Sequence, residues 1–223
     1  MKTLATSVAA LALAAATASA QAPAGPEFLI ASAPSNGYRT DVACSSQGDF
    51  IVTWGVAGLA PVSARRYQAN GAPGGGPFTV NVSGGYARFP AVAANAAGAF
   101  TIAWEKDFAV SIAARRFDAT GTPLSGELMV NTYVTAAKDQ PDVTSDDSGN
   151  VVVVWASNGQ DGSFFGVYGQ AFDSSGAPAG AEFSVNTYAY SNQIAPSVSS
   201  AANGQFVVVW SSQFQDGWPG LPP

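Results

Sequence analysis

The chain has 223 residues, a formal charge of −6, only 11% charged residues and no histidine. This composition argues against nucleic-acid binding, which relies on clustered Lys and Arg. It also excludes nucleophile–histidine catalysis, and transition-metal sites lack their usual ligands. The one cysteine, Cys44, excludes an internal disulfide. The other repeat copies have Ala or Ser in its place, so we expect a small buried thiol.

Residues 1–20 are predicted to be a secretory signal peptide. Lys2 supplies a positive start, residues 8–16 form an apolar core, and residues 18–20 form a small-residue cleavage site. That core is too short for a membrane span, and no other apolar stretch reaches the roughly 18 residues that a transmembrane helix needs. We therefore expect cleavage near Ala20 and a mature protein that is secreted, periplasmic or at the cell surface.

Residues 21–217 form a repeat domain with a period of about 50 residues, which is typical of stacked small sheets. The segment 26–31 is predicted to be a leading strand, followed by repeats at 40–89, 90–140, 141–195 and 196–217, the last one partial. Each complete repeat has four parts. The first begins at residues 40, 90, 141 and 196, and the second is an apolar run ending in Trp54, Trp104, Trp155 or Trp210. The third begins at residues 64, 114 and 169, and the fourth at residues 78, 128 and 183.

Glycine turns separate the parts and predict antiparallel hairpins. In the third repeat the run 151–154 is Val throughout, so both faces of that strand are apolar and we expect neighbours on both sides. The pattern predicts an all-β fold, a β-propeller-like array of about four four-stranded blades. A β-solenoid and tandem β-sandwich modules are the alternatives.

The array is predicted to be incomplete. Counting the parts gives one strand short of four closed blades, and the tail at 218–223 is irregular and leaves the repeat pattern. We expect a fragment of a longer array, with unpaired strand groups at its edge.

Several charged residues recur at equivalent positions and are interpreted as architecture. The Arg pairs at 65–66 and 115–116 invite comparison with sialidases, which hold a carboxylate with arginines. Successive residues of a strand face opposite sides, however, so only one arginine of each pair can face a given side. We expect their stems to pack on aromatic rings. Glu27, Glu127 and Glu182 recur before the fourth part, and with Glu105 they are the carboxylates available for glycoside hydrolysis.

The loops that follow the Trp runs are the candidate sites. One carboxylate in each of two loops, Asp161 and Asp216, is a weak calcium candidate, because calcium prefers oxygen ligands. Charged residues between the blades, at Arg88, Lys138 and Asp139, are expected to be exposed loop charges. The candidate interaction residues of the post-Trp loops are Glu105, Lys106, Asp107, Asn158, Gln160 and Gln215.

The motifs VVVW, QDG, GVYGQ, FD and EFSVN of the third repeat resemble repeats of large secreted bacterial proteins. Such repeats often lie beside calcium-binding or surface-anchoring modules. The resemblance implies an extracellular propeller-like array and supplies no catalytic residues or cofactor. We expect a non-enzymatic interaction or adhesion module whose partner is an extracellular protein or glycan. A carbohydrate-active propeller of sialidase or glycosidase type and a passive spacer of a longer surface protein are the alternatives.

Overall fold

The computed structural model describes residues 27–30, 37–56 and 60–216. It contains fourteen β-strands and no helix in these residues, and hence no helix that could cross a membrane. The predicted signal peptide at 1–20 and the irregular tail at 218–223 lie outside them. Sheet 1 comprises β1 (Gly37–Cys44), β2 (Phe50–Val56), β3 (Ser63–Tyr67) and β4 (Phe78–Thr79); sheet 2 comprises β5 (Ala87–Ala94), β6 (Phe100–Lys106), β7 (Ser111–Phe117) and β8 (Leu128–Met129); sheet 3 comprises β9 (Lys138–Ser145), β10 (Val151–Asn158), β11 (Phe165–Phe172) and β12 (Phe183–Ser184); sheet 4 comprises β13 (Gln193–Ser200) and β14 (Phe206–Ser212).

Each sheet is an antiparallel meander in which neighbouring strands follow one another in sequence. The prediction of an all-β array of antiparallel sheets is therefore confirmed. The glycine turns predicted between the first and second strands are also present. Gly48, Gly98, Gly149 and Gly204 all have φ between 83° and 85°, a conformation that glycine adopts without a steric penalty.

The predicted repeat boundaries fall inside the first strand of each sheet. The sequence pattern predicts that these strands begin at Pro90, Pro141 and Pro196. In the structure, β5, β9 and β13 each start three residues earlier. The register shifts at each proline, since proline has no N–H to donate to a ladder. The strand therefore continues through a bulge at the point where the sequence pattern suggests a beginning.

The predicted leading strand at 26–31 is not formed in its described part, residues 27–30. The same motif forms only two-residue strands in the complete sheets, at β4, β8 and β12. The motif thus supports little pairing in the described residues. Cys44, expected to be buried, is exposed near the end of β1, and it is free.

The core lies between successive sheets, because each sheet presents two different apolar faces. We call the face toward the preceding sheet the leading face and the face toward the following sheet the trailing face. In sheet 2 the leading face carries Phe100, Ile102 and Trp104, which pack on Ile51 and Ala64 of sheet 1. Sheets 2 and 3 and sheets 3 and 4 meet in the same way. The both-sided apolar run 151–154 is explained by this arrangement, since Val151 and Val153 face sheet 2 while Val152 and Val154 face sheet 4.

The first strands of the sheets lie closest together. β1 contacts β5, β5 contacts β9 and β9 contacts β13. Arg39 of β1 also donates a hydrogen bond, at 3.3 Å, to the carbonyl oxygen of Pro141 in β9, reaching past sheet 2. First strands that meet in this way give the array a propeller-like arrangement.

Recurrent glutamates hold successive sheets together. The carboxylate of Glu127 in sheet 2 accepts hydrogen bonds from the backbone N–H groups of Val82 and Ser83 and from the Ser83 hydroxyl, all beyond β4 of sheet 1. Glu182 of sheet 3 binds the N–H and hydroxyl of Thr132 beyond β8 in the same way. The interpretation of these two glutamates as architecture is confirmed.

The arginine pairs serve the same architecture. Arg65 and Arg115 lie over the rings of Tyr67 and Phe117, at 5.5 and 5.4 Å from the ring centroids. Their neighbour Arg66 points to the other side and donates to the carbonyl of Thr120 in the next sheet, at 2.7 Å. The expected stacking on aromatic rings is thus confirmed, and the inter-sheet hydrogen bond is an addition that the sequence did not predict.

Candidate interaction surface

One end of the array combines two kinds of loop. In an antiparallel meander the loops between second and third strands share an end with the connections from one sheet to the next. We call this the loop end; it comprises residues 60–62, 80–86, 107–110, 130–137, 159–164, 185–192 and 213–216. Backbone hydrogen bonds join its two kinds of loop, from Asn158 to Ala137 and from Gln213 to Asn192, both at 2.9 Å.

Backbone strain concentrates at the loop end. The non-glycine residues with positive φ in the described chain lie either in these loops or at the adjacent starts of β5, β9 and β13: Phe89, Asp107, Phe108, Ala109, Ala136, Gln140, Ser191, Ala195 and Phe214. Three of them, at 107–109, are consecutive. The opposite end forms its tight turns with glycine instead, for example Gly121 and Gly176. Residues held in unfavourable φ regions cost of order 1–3 kcal/mol each and cluster at ligand-binding sites.

The loop end also exposes large apolar side chains. Phe108 is 73% exposed, Tyr190 63% and Phe164 62%, and each comes from a different loop. Val82 and Val134 are exposed at the same end. Isolated exposed apolar residues are common, but several at one end of the molecule make that end a candidate contact surface.

Two of these rings are held by other aromatic residues. Phe108 stacks on Tyr86 with ring centroids 5.0 Å apart, and the guanidinium of Arg88 lies 4.9 Å from the Tyr86 ring centroid. Tyr190 contacts Phe214 at 6.4 Å in a tilted arrangement. Rings that are positioned in advance lose little entropy when a ligand binds.

A buried charge cluster lies beneath this surface, between sheets 2 and 3. Glu105, expected in an exposed loop, is instead part of β6 and is fully buried. Its carboxylate lies 2.7 Å from Nε of Arg88 and accepts a hydrogen bond from the Gln140 N–H at 3.0 Å. Burial and the neighbouring Asp139 carboxyl raise the pKa of Glu105 to about 8, despite the opposing effect of Arg88.

The inter-sheet charges are less exposed than the sequence suggests. Lys138, expected on an exposed loop, is fully buried at the start of β9. Its Nζ donates to the carbonyls of Thr135 and Ala136, at 2.9 and 3.0 Å, and lies 4.6 Å from the Tyr133 ring centroid. Burial lowers the pKa of Lys138. Arg88 and Asp139 are half-buried in β5 and β9.

Two of the candidate interaction residues contact, within their own sheets, the glutamates that join successive sheets. Lys106 pairs with Glu127 at 2.9 Å, and Gln160 bridges Ser157 and Glu182. They therefore support the loops rather than lie free on the surface. Asp107 and Gln215 are exposed at the loop end, and Asn158 ends β10.

The two calcium candidates lie in different loops. Asp161 accepts a hydrogen bond from the Ser163 N–H at 3.0 Å, and its other oxygen is buried above Gly166. Asp216 is exposed. Across the described residues no three His, Cys, Asp or Glu side chains come together as a metal site. Calcium binding stays a prediction.

The sequence analysis missed the aromatic residues of the loop end. Phe164 and Tyr190 have no aromatic counterpart in the other repeats, unlike the core aromatics, whereas Phe108 is matched by Phe214, each lying four residues after the Trp of its repeat. For Phe164 and Tyr190 this difference is the signal that could have found them, because a large apolar residue outside the repeat pattern has no place in the repeated core.

No protein-family model matches the chain, and no curated protein matches it. Among solved structures it is similar to a Hadza microbial sialidase, with 12% identity and a TM-score of 0.48 over 73% of this chain and 39% of that one. It is also similar to an endo-arabinase from Bacteroides thetaiotaomicron, with 16% identity and a TM-score of 0.46 over 77% and 68% of the two chains. A third similar structure is the calcium-binding protein regucalcin from Agrobacterium tumefaciens, with 12% identity and a TM-score of 0.37 over 70% and 48%. The chain thus spans well under half the length of the sialidase.

Proposed function

We propose that this protein is an exported, non-enzymatic interaction module that binds an extracellular protein or glycan through its loop end. The observation that carries the proposal is the concentration of positive-φ residues at that end, with three in succession at 107–109. Such strain persists only where the surrounding structure holds it, and binding loops are a common place for it. The opposite end forms comparable turns with glycine and stores no such strain.

The aromatic residues define what the surface would contact. Phe108, Phe164 and Tyr190 offer broad apolar faces, and such rings are common at the centre of binding interfaces. Arg88, stacked on Tyr86, adds a polar group beside these rings. A ligand with both an apolar face and polar groups, such as a sugar ring or a protein loop, fits this combination.

Binding measurements with matched variants test the proposal. The chain would be screened against a glycan array and against extracellular proteins, and the Kd of each hit measured. Phe108→Ala and Tyr190→Ala should each weaken binding by about tenfold or more, as expected for central aromatic contacts. Leu124→Ala, which removes an exposed apolar side chain at the opposite end, is the control and should leave Kd unchanged. Equal effects of all three variants, or no binding to either class, would contradict the proposal and favour a passive spacer.

A carbohydrate-active enzyme is the second candidate function, and Glu105 is the observation that favours it. A carboxyl whose pKa is about 8 is protonated at neutral pH and could act as a general acid. Two features oppose this role. Glu105 is fully buried, and the Asp139 carboxyl lies within hydrogen-bonding reach, whereas glycosidase carboxyls are separated by roughly 5 to 9.5 Å to flank the bond. We expect no turnover on a panel of chromogenic glycosides.

A further inference from the structure

Sheet 4 leaves its trailing face open. Val207 and Val209 on that face are each 60% exposed. The residues at the same strand positions in sheets 1 to 3 are at most 8% exposed: Ile51, Thr53, Thr101, Ala103, Val152 and Val154. The following sheet covers these positions in all three cases, so the trailing face of sheet 4 is one half of an interface whose other half is not in place.

Sheet 1 leaves its leading face open in the same way. Val42, which pairs with Val52 on this face, is 55% exposed, whereas the equivalent Val92 and Val143 are each 5% exposed. Phe50 and Val52 are only half-buried. Because Val42 and Val209 are both exposed, the two open faces of one chain do not cover each other.

We propose that two copies of this chain associate head to tail, the trailing face of sheet 4 of one copy packing on the leading face of sheet 1 of the other. All three junctions inside the chain join a trailing face to a leading face. The two open faces are therefore complementary halves of the same repeated interface. A second contact of the same kind between the remaining faces closes a two-fold dimer.

The chemistry of the two faces suits this contact. On sheet 4, Val207 and Val209 of β14 pair with Ser199 and Ser197 of β13, so the β13 partners of both valines are uncharged. On sheet 1 the strand partner of Val52 is Arg65, a cation. The contact therefore brings no two carboxylates together, although each copy carries a net negative charge. Salt should strengthen the association, because it screens the long-range repulsion and leaves apolar contact intact.

Sedimentation velocity of the full chain over a wide concentration range tests the proposal. The wild type should form a dimer as its concentration rises. Val209→Lys and Val42→Lys should each remain monomeric, because each blocks one face with a charge. An equimolar mixture of these two variants should associate more weakly than the wild type but more strongly than either variant alone, since it retains one of the two contacts, between the intact sheet 4 of one copy and the intact sheet 1 of the other. Circular dichroism would confirm that both variants are folded, which the exposure of the two positions favours.

Leu124→Lys is the matched control, because it places the same charge at an exposed apolar residue away from both faces, and it should dimerise like the wild type. A wild type that is monomeric at every concentration overturns the proposal. A dimer that survives either single substitution, or a mixture of the two variants that associates no more than either variant alone, overturns it as well.

Discussion

At the scale of single residues, three recurrent asparagines hold the fold together through hydrogen bonds to the backbone. Asn81, Asn131 and Asn186 recur after the fourth strand, and each accepts a hydrogen bond from a backbone N–H within or immediately before the third strand of its sheet. Their amide groups donate to the carbonyl two residues onward. These asparagines satisfy backbone groups in each of the three four-stranded sheets, and leaving such a buried group unpaired costs about 1–3 kcal/mol. Their role is therefore structural.

Glu105 gives a pH dependence to stability that can be measured. Its ordinary pKa is 4.5 and its folded pKa about 8, so between these values the folded state holds a proton that the unfolded state has released. Folding stability must then fall as the pH rises through this window. Glu105→Gln removes the titration and keeps the side-chain shape. We expect the Tm of the wild type to fall relative to the Tm of Glu105→Gln as the pH rises from 5 to 8.

Asp107→Asn is the control for the Glu105 experiment, because it removes one negative charge from an exposed residue two positions away. Each variant would be compared with the wild type by thermal denaturation at matched ionic strength. A Tm difference for Glu105→Gln that does not change with pH would mean that Glu105 is ionised in the folded state and fully balanced by Arg88.

At the scale of elements, the contacts between sheets matter more than the individual strands. β4, β8 and β12 pair over only two residues, so hydrogen bonding within a sheet holds them weakly. The segments that follow β4 and β8 are fixed to the next sheet by Glu127 and Glu182, which precede β8 and β12. The fourth strand of each blade is thus retained by its flanking contacts.

Glu127→Ala should destabilise the protein by about 1–3 kcal/mol, because it leaves the N–H groups of Val82 and Ser83 and the ammonium of Lys106 without their acceptor. Partial burial disfavours ionisation of Glu127, but hydrogen bonds from Ser83, Lys106 and Val82 outweigh it and lower its pKa to about 2. The stabilisation is present above pH 4.5 and is lost as the pH falls toward 2.

Urea denaturation of Glu127→Ala at neutral pH measures this loss. Glu27→Ala is the matched control, because Glu27 occupies the same motif position and is exposed in the structure. We expect no change in the free energy of unfolding for the control. If both variants lost the same free energy, the contact between sheets 1 and 2 would not be the cause.

At the scale of the whole molecule, the repeat is the part of the structure that the sequence predicts well. The repeat is visible in the sequence through Trp104 and Trp155, the glycine turns and the valines of β10. Such a local period can be recognised without knowing the fold. The burial of Lys138 and Glu105 is not readable in this way. It depends on residues such as Arg88 and Asp139, which are far apart in sequence and meet only when two sheets pack. Phe164 and Tyr190 of the loop end were missed because they have no counterpart in the other repeats.

The array also predicts a gradient of local stability. In stacked repeats each unit is stabilised by its neighbours, and sheets 2 and 3 have a neighbour on both faces. Sheet 4 has two described strands and an exposed trailing face. Amide hydrogen exchange measured by mass spectrometry at low protein concentration should therefore be fastest in β13 and β14 and slowest in β6 and β10. At high concentration the head-to-tail contact should slow exchange in β14 and β1 and leave β6 and β10 unchanged. Uniform protection of all sheets at low concentration would mean that the array unfolds as one cooperative unit and that neighbour contacts do not set local stability.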